Sequence, residues 1–117
     1  DVDRDTPVAQ DAPLPADVDL GSWAEATAER TGVPSRALRA YGAAELAQRA
    51  DTPDCRLSWT TLAAVARVES DHGNLGRSSL GADGVPSPRI VGVPLDGSDG
   101  VREILDTDGG ALDGDTV

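Results

Sequence analysis

The sequence predicts a mainly α (α+β) protein, with three helices up to residue 73 and a small β element after them. Helix-start and helix-end residues recur from Ser22 to Gly73. Gly, Pro and Ser then dominate residues 73–100, a composition typical of loops. Large apolar side chains are scarce, with two Trp, one Tyr and no Phe or Met among the 117 residues. We therefore expect a small core, as in other domains of this size.

Charge is unevenly spread over the chain, whose net charge is −11. Residues 20–82 balance seven acidic against seven basic side chains, whereas residues 83–117 carry eight acidic side chains and two Arg. No segment forms a basic patch, which argues against a nucleic-acid partner. No apolar run approaches the roughly 20 residues of a membrane span. We predict neither partner for this chain.

The first structured residues are expected near position 21. Residues 1–20 are rich in Asp, Pro and Ala without periodicity, which is typical of a disordered linker. Ser22 and Glu25 have the spacing of a capping box, so the first helix is predicted to begin at Ser22. Gly32 is predicted to end it, because glycine adopts the left-handed conformation at low cost.

A second helix is predicted over residues 34–50, with Pro34 in its first turn, where a missing N–H is tolerated. Leu38 and Tyr41 belong to its modest apolar stripe. Gly42 inside this helix either weakens it or lets a neighbouring helix approach closely.

The third helix is the clearest and is predicted over residues 59–71, with Ser58 as its cap and Gly73 closing it. The long segment that follows contains two apolar runs, at residues 90–93 and 101–105. Both are candidates for short strands, and the second is equally compatible with a helical turn.

Glu69 is the residue that does not fit the third helix. At about 100° per residue it falls between Val65 and Leu62, inside the apolar arc. A carboxyl group with apolar neighbours holds its proton more firmly, which a general acid for glycosidic cleavage requires. The alternative is a solvated side chain in a fraying last turn, or an ion pair with Arg67 or Arg77.

Other candidate chemistry is weaker. His72 is the single histidine and is predicted to cap the helix end, beside a solvated Asp71. Cys55 is either a buried small apolar residue or half of a disulfide whose partner lies beyond residue 117. The acidic stretch at residues 106–115 is predicted to be a solvated turn, because Ala111 stands where a calcium loop needs Gly. We predict no metal and no cofactor.

An ordered set of segments resembles the lytic murein transglycosylases of the membrane-bound lytic transglycosylase B type. Residues 66–73, ARVESDHG, resemble the end of the family's catalytic helix, where a Glu-Ser or Glu-Thr pair stands. Residues 55–59 resemble the start of that helix, and residues 32–41 the helix before it. Residues 106–116 are similar to the stretch that follows, so the resemblance covers about residues 22–117 in order.

The resemblance implies a lysozyme-like helical fold and a secreted or cell-envelope enzyme that cleaves the MurNAc–GlcNAc bond of peptidoglycan. Glu69 would be its catalytic general acid and base, giving 1,6-anhydromuramyl products without a cofactor. Ser70 would contact the substrate or orient Glu69. The alternatives are a hydrolytic muramidase on the same scaffold, a non-catalytic cell-wall-binding domain, and an unrelated helical interaction module.

One departure from the family pattern is large. The family continues into a Gly-Pro-Met-Gln-Phe-like motif that lines the substrate groove, and nothing in this sequence matches it. The resemblance thus implies that residues 21–117 are the N-terminal part of the catalytic domain and have little activity alone. It also implies a partner for Cys55 further along the chain.

Overall fold

The computed structural model describes residues 12–114 and residue 116. Its regular structure is mainly helical and ends in a small sheet, which confirms the predicted mixture of elements. The elements in chain order are α1 (Leu20–Thr31), α2 (Ser35–Asp51), a single 3₁₀ turn (Pro53–Cys55), α3 (Trp59–Ser70), β1 (Ser79–Leu80) and β2 (Pro86–Ser87).

The start of α1 differs from the prediction, whereas its end agrees. Asp19 is the N-cap, and its Oδ1 accepts a hydrogen bond of 2.8 Å from the backbone N–H of Ser22. The predicted capping box at Ser22 is therefore wrong, and Ser22 lies inside the first turn. Gly32 ends α1 with a φ of 74° in the left-handed region, as predicted. Three residues later α2 begins, so the two helices pack as a closely connected pair.

The chain preceding α1 is packed against α2. Leu14 is 6% exposed, its backbone N–H donates to Glu45 Oε2 over 2.9 Å, and its carbonyl accepts from Arg49 over 2.7 Å. The structure thus differs from the predicted disordered linker over residues 12–20, because one leucine and two backbone groups find partners on α2. Residues 1–11 of that predicted linker lie outside the described residues.

The core is small and is built largely from alanine. Gly42 of α2 faces α1 so closely that a Cβ there would lie 2.8 Å from Leu20 Cδ2 and 2.9 Å from Trp23 Cζ3. The glycine therefore allows the close helix approach that the sequence suggested. Trp23 and Trp59 meet edge to face, with ring centroids 5.2 Å apart. The buried apolar residues are Leu14, Ala24, Ala37, Leu38 and Ala63.

The strands are not where the sequence predicted them. Residues 90–93 and 101–105 form no strand, and most of their apolar side chains are exposed. Instead, a hairpin pairs Leu80 with Pro86 and Ser79 with Ser87. An apolar run forms a stable strand when it pairs with a neighbouring strand and packs its apolar side chains against other residues. Among the described residues, neither of these two runs pairs with another strand.

No helix within the described ranges is both long and apolar enough to cross a membrane.

Candidate functional site

The end of α3 is shaped by an abrupt reversal of the chain. Ser58 caps the helix start by accepting a hydrogen bond from Thr61 N over 3.3 Å, as predicted. The last helical residue is Ser70, and the C-cap is Asp71 and not Gly73, because Asp71 already has a left-handed φ of 48°. Its successor His72 also has a positive φ, and its N–H donates to Ala66 O over 3.1 Å. The chain thus turns away from the helix within two residues of Glu69.

Glu69 lies on the uncovered side of α3. Its side chain is exposed, and its helical neighbours Val65 and Val68 are 56% and 83% exposed. The covered side carries Ala63, with Ala66 half-buried beside it. The expectation that the apolar arc around Glu69 faces the protein interior is therefore wrong. Because α3 packs through its smallest side chains, its valines are left on the solvent side.

The carboxylate of Glu69 has no ion-pair partner among the residues described. Arg67, one of the two predicted partners, binds Asp71 one turn further along the helix. Arg77, the other, forms no ion pair within residues 12–114. Of the two alternatives to a catalytic role, the ion pair with an arginine is not found, whereas a solvated side chain in the last turn is what the structure shows. The carboxylate is therefore open to an incoming molecule.

Ser70 has a structural contact of its own. Its Oγ accepts a hydrogen bond of 3.0 Å from the backbone N–H of Gly73, which closes the turn after α3. The side chain is half-buried. Its predicted contact with substrate remains a prediction.

His72 is buried and does not serve as a charged cap of the helix dipole. It is 7% exposed, and its Nδ1 lies 2.7 Å from the hydroxyl oxygen of Tyr41 on α2. Burial lowers the pKa of His72, with Asp71 opposing and Arg67 reinforcing that effect. Burial also raises the pKa of Tyr41. The neutral imidazole is therefore the form that fits this position, which corrects the predicted role.

The hairpin is fixed against the turn that follows α3. Asn74 donates to Asp71 O over 3.1 Å and accepts from Leu80 N over 2.9 Å, so it joins the turn to β1. Arg36 of α2 donates to the carbonyls of Ala82 and Asp83, each over 3.2 Å. Sequence reasoning missed these anchors, because nothing local distinguishes an Asn or Arg that binds backbone groups far along the chain.

An open cleft of about 580 Å³ lies beside α3. Its walls are the turn at residues 31–34 and the α3 side chains of Ala64 and Arg67, with His72 at one end. Glu69 is not among its lining residues. On the helix Arg67 points roughly 160° away from Glu69, so the cleft and the candidate catalytic carboxyl occupy opposite sides of α3.

Metal-binding side chains are not gathered anywhere in the described part of the chain, where no group of three His, Cys, Asp or Glu residues converges. In the acidic stretch Asp106 accepts from the N–H groups of Asp108 and Gly109 over 3.0 and 3.2 Å. The aspartates thus stabilise their own turn, as predicted for a solvated acidic loop. Cys55 is exposed, which excludes its interpretation as a buried apolar residue.

Comparison of the chain with protein-family models, with curated proteins and with solved structures finds no match.

Proposed function

We propose that this chain carries the catalytic acid and base, Glu69, of a lytic murein transglycosylase with a lysozyme-like fold. The observation that carries the proposal is the resemblance of residues 66–73 to the end of a catalytic helix. In the described structure Glu69 stands in the last turn of α3, exposed and without an ion pair, so a substrate could reach it. This is the residue that the resemblance of residues 66–73 to a catalytic helix end singles out. The turn and small hairpin that follow are compatible with a lysozyme-like arrangement.

The proposed reaction uses one carboxyl group twice. Protonated Glu69 gives its proton to the oxygen between MurNAc and GlcNAc, and the C1–O bond breaks. The resulting oxocarbenium-like centre at C1 is then attacked by the O6 hydroxyl of the same MurNAc. The Glu69 carboxylate takes the O6 proton as the O6–C1 bond forms. The product is a 1,6-anhydro ring, and Glu69 ends protonated as it began.

The carboxylates near Glu69 support this single-carboxyl route. Hydrolytic glycosidases hold two carboxyl groups about 5–9.5 Å apart across the bond that is cut. The nearest carboxylate in sequence, Asp71, is bound to Arg67, which points roughly 160° away from Glu69 around the helix. No second carboxylate that serves water or a covalent intermediate is therefore evident along α3.

The uncovered side of α3 supplies a surface for the glycan strand. Val65 and Val68 flank Glu69 there and are exposed. A sugar ring lying on the two valines would exclude water from the carboxyl group beside the glycosidic oxygen. In this proposal the substrate itself provides the apolar cover that a general acid requires. The protein would act outside the cytoplasm, where peptidoglycan lies.

The test is mass spectrometry of purified sacculi digested by the natural protein that contains this chain. Glu69→Gln keeps the size of the side chain and removes the acid, whereas Glu29→Gln makes the same change at an exposed position of α1. We expect anhydromuropeptides from the unsubstituted protein and from Glu29→Gln, and none from Glu69→Gln.

Other outcomes identify the alternatives. Products with reducing ends would move the assignment to a hydrolytic muramidase. The absence of products, with sacculus binding retained in Glu69→Gln, would indicate a cell-wall-binding domain. Absence of both binding and cleavage in a folded protein would leave the chain as a helical interaction module.

A further inference from the structure

Two groups that the proposed reaction does not use are paired at the turn after α3, which begins two residues beyond Glu69 in the sequence. The hydroxyl oxygen of Tyr41 on α2 lies 2.7 Å from His72 Nδ1, and the two rings are tilted by 47° with centroids 5.7 Å apart. His72 follows Glu69 by three residues and is among the few buried polar side chains. A buried polar side chain in the turn that follows a proposed catalytic residue calls for an explanation.

The backbone at this point is held in an unfavourable conformation. Asp71, His72 and Gly73 have successive φ values of 48°, 59° and 88°. Residues other than glycine adopt this region rarely, and they remain there when surrounding contacts hold them. Ser70 Oγ and Asn74 hold the turn from within the same segment.

One contact ties the turn to another helix. Among the hydrogen bonds of residues 12–114, the Tyr41–His72 bond is the one that joins the turn to α2. The position of the turn relative to α2 therefore depends on this pair, together with the Arg36 contacts that hold the neighbouring hairpin.

We infer that His72 is a positioning residue for the proposed reaction: anchored by Tyr41, it fixes the chain directly after Glu69 and so fixes the Glu69 carboxyl. The inference rests on the proposed function of Glu69. Such control matters because a displacement of about 1 Å at a catalytic group can lower the rate about 100-fold. Binding of the glycan to the rest of the surface is affected much less.

Burial, more than the neighbouring charges, explains why the neutral imidazole suits this role. Tyr41 faces His72 from α2, and Asp71 and Arg67 face it from the end of α3. Burial lowers the pKa of His72, so a charged imidazolium is disfavoured in this position. Protonation would therefore release the side chain and loosen the turn, and we expect the catalytic rate to fall on acidification.

The first experiment compares reaction kinetics of the natural protein and its variants on purified peptidoglycan. Tyr41→Phe removes one hydroxyl and keeps the ring. We expect its kcat to fall about 10-fold while KM changes less than about twofold, because orientation and not substrate binding is lost. Arg67→Gln is the matched control: it removes the neighbouring ion pair but leaves the Tyr41–His72 bond, and should keep kcat within about twofold.

Two substitutions of His72 separate positioning from folding. His72→Gln retains an uncharged hydrogen-bonding group of similar reach, and should keep more than about half of kcat at pH 7. His72→Ala should lose as much kcat as Tyr41→Phe. Near-ultraviolet circular dichroism and thermal melting identify any variant that fails to fold.

The pH profile gives a readout that a purely structural role would not produce. The His72 imidazole resonance is assigned as the one that disappears from the NMR spectrum in the His72→Gln variant. We expect the acid-side loss of kcat in the unsubstituted protein to share its midpoint with the NMR titration of His72. In His72→Gln that loss should be absent.

Several results would overturn the inference. If Tyr41→Phe folds and keeps its kcat, or if its loss is entirely in KM, while Glu69→Gln is inactive, the positioning role is wrong and the proposed function stands. If kcat falls on acidification in the same way in the unsubstituted protein and in His72→Gln, the positioning role is likewise wrong and the proposed function stands. Full activity of Glu69→Gln, or no anhydro product from the unsubstituted protein, would overturn both proposals.

Discussion

At the scale of single residues, Glu45 shows how a charged side chain is accommodated in the small core. It is 2% exposed, and its two carboxylate oxygens accept hydrogen bonds from the N–H groups of Leu14 and Trp59 and from the Arg49 guanidinium, over 2.9, 3.0 and 2.9 Å. One carboxylate thus joins the chain before α1, the middle of α2 and the first residue of α3. Because both carboxylate oxygens accept hydrogen bonds and one of the donors is a guanidinium, the cost of burying the charge is offset.

Removing this carboxylate is expected to destabilise the protein strongly. Glu45→Ala leaves the buried N–H of Leu14, the half-buried N–H of Trp59 and the Arg49 guanidinium without their acceptor, and should lower the free energy of unfolding by about 3–5 kcal/mol. Glu45→Gln retains one acceptor oxygen and should lower it by about 1–3 kcal/mol. Urea denaturation followed by tryptophan fluorescence measures both.

The matched control for Glu45 is Glu29→Gln, which makes the same chemical change at an exposed position of α1. It should alter the free energy of unfolding by no more than about 0.5 kcal/mol. Equal effects of Glu45→Gln and Glu29→Gln would show that the three hydrogen bonds of Glu45 make no net contribution to the free energy of unfolding.

At the scale of helices, close packing of α1 on α2 depends on the absence of a side chain at position 42. We expect Gly42→Ala to destabilise the protein by about 1–2 kcal/mol, because overpacking costs about 1–3 kcal/mol and improved helix propensity returns less than about 1 kcal/mol. The new Cβ would lie under 3.0 Å from Leu20 and Trp23. Thermal or urea unfolding gives the difference.

A second helical glycine provides the control for this prediction. Gly21 lies in α1, and a Cβ there would meet nothing closer than Asp19 Oδ1 at 3.4 Å, an ordinary contact. Gly21→Ala should therefore be neutral or stabilising by up to about 1 kcal/mol. If both substitutions stabilise the protein, the close approach at Gly42 is not a constraint on packing.

Helix ends were predictable from the sequence where the determinant is local. Ser58 and Gly32 act within one turn of their own positions, and both were identified correctly. The start of α1 was misassigned because Ser22 and Asp19 are both good capping residues three positions apart. Only the geometry of the preceding chain decides between them.

The candidate site shows where sequence patterns stop being informative. A helical wheel gives the angular position of Glu69 but not the side on which a neighbouring helix packs. Here α3 contacts its neighbours through Ala63 and leaves the larger Val65 and Val68 exposed. The partner of His72 was equally hidden, since Tyr41 lies 31 residues away and nothing local connects the two.

At the scale of the whole molecule, stability is coupled to pH through His72. Its pKa is lowered by burial in the folded state, whereas an unfolded chain has a histidine pKa of about 6.5. Below about pH 6.5 the unfolded state therefore binds a proton more readily than the folded state. The stabilisation is complete above that pH and is lost as the pH falls through the lowered pKa of folded His72.

Acidification also acts on the rest of the chain, so a control is needed. The net charge of −11 repels itself at neutral pH, and protonating carboxylates relieves that repulsion. Asp19 acts in the opposite direction at lower pH, because the Ser22 backbone N–H lowers its pKa and the resulting stabilisation is lost once it protonates. These contributions are common to the unsubstituted protein and to His72→Gln.

The difference between these two proteins therefore isolates His72. We expect urea denaturation between pH 4.5 and 8 to show the following difference in the free energy of unfolding between the unsubstituted protein and His72→Gln. The difference is constant above about pH 6.5 and becomes smaller as the pH falls below that value. A narrowing difference means that the folded turn after α3 excludes the imidazolium. A constant difference over the whole pH range would mean that His72 has the same pKa in the folded and unfolded states. The contact of His72 with Tyr41 would then make no contribution to the pH dependence of stability.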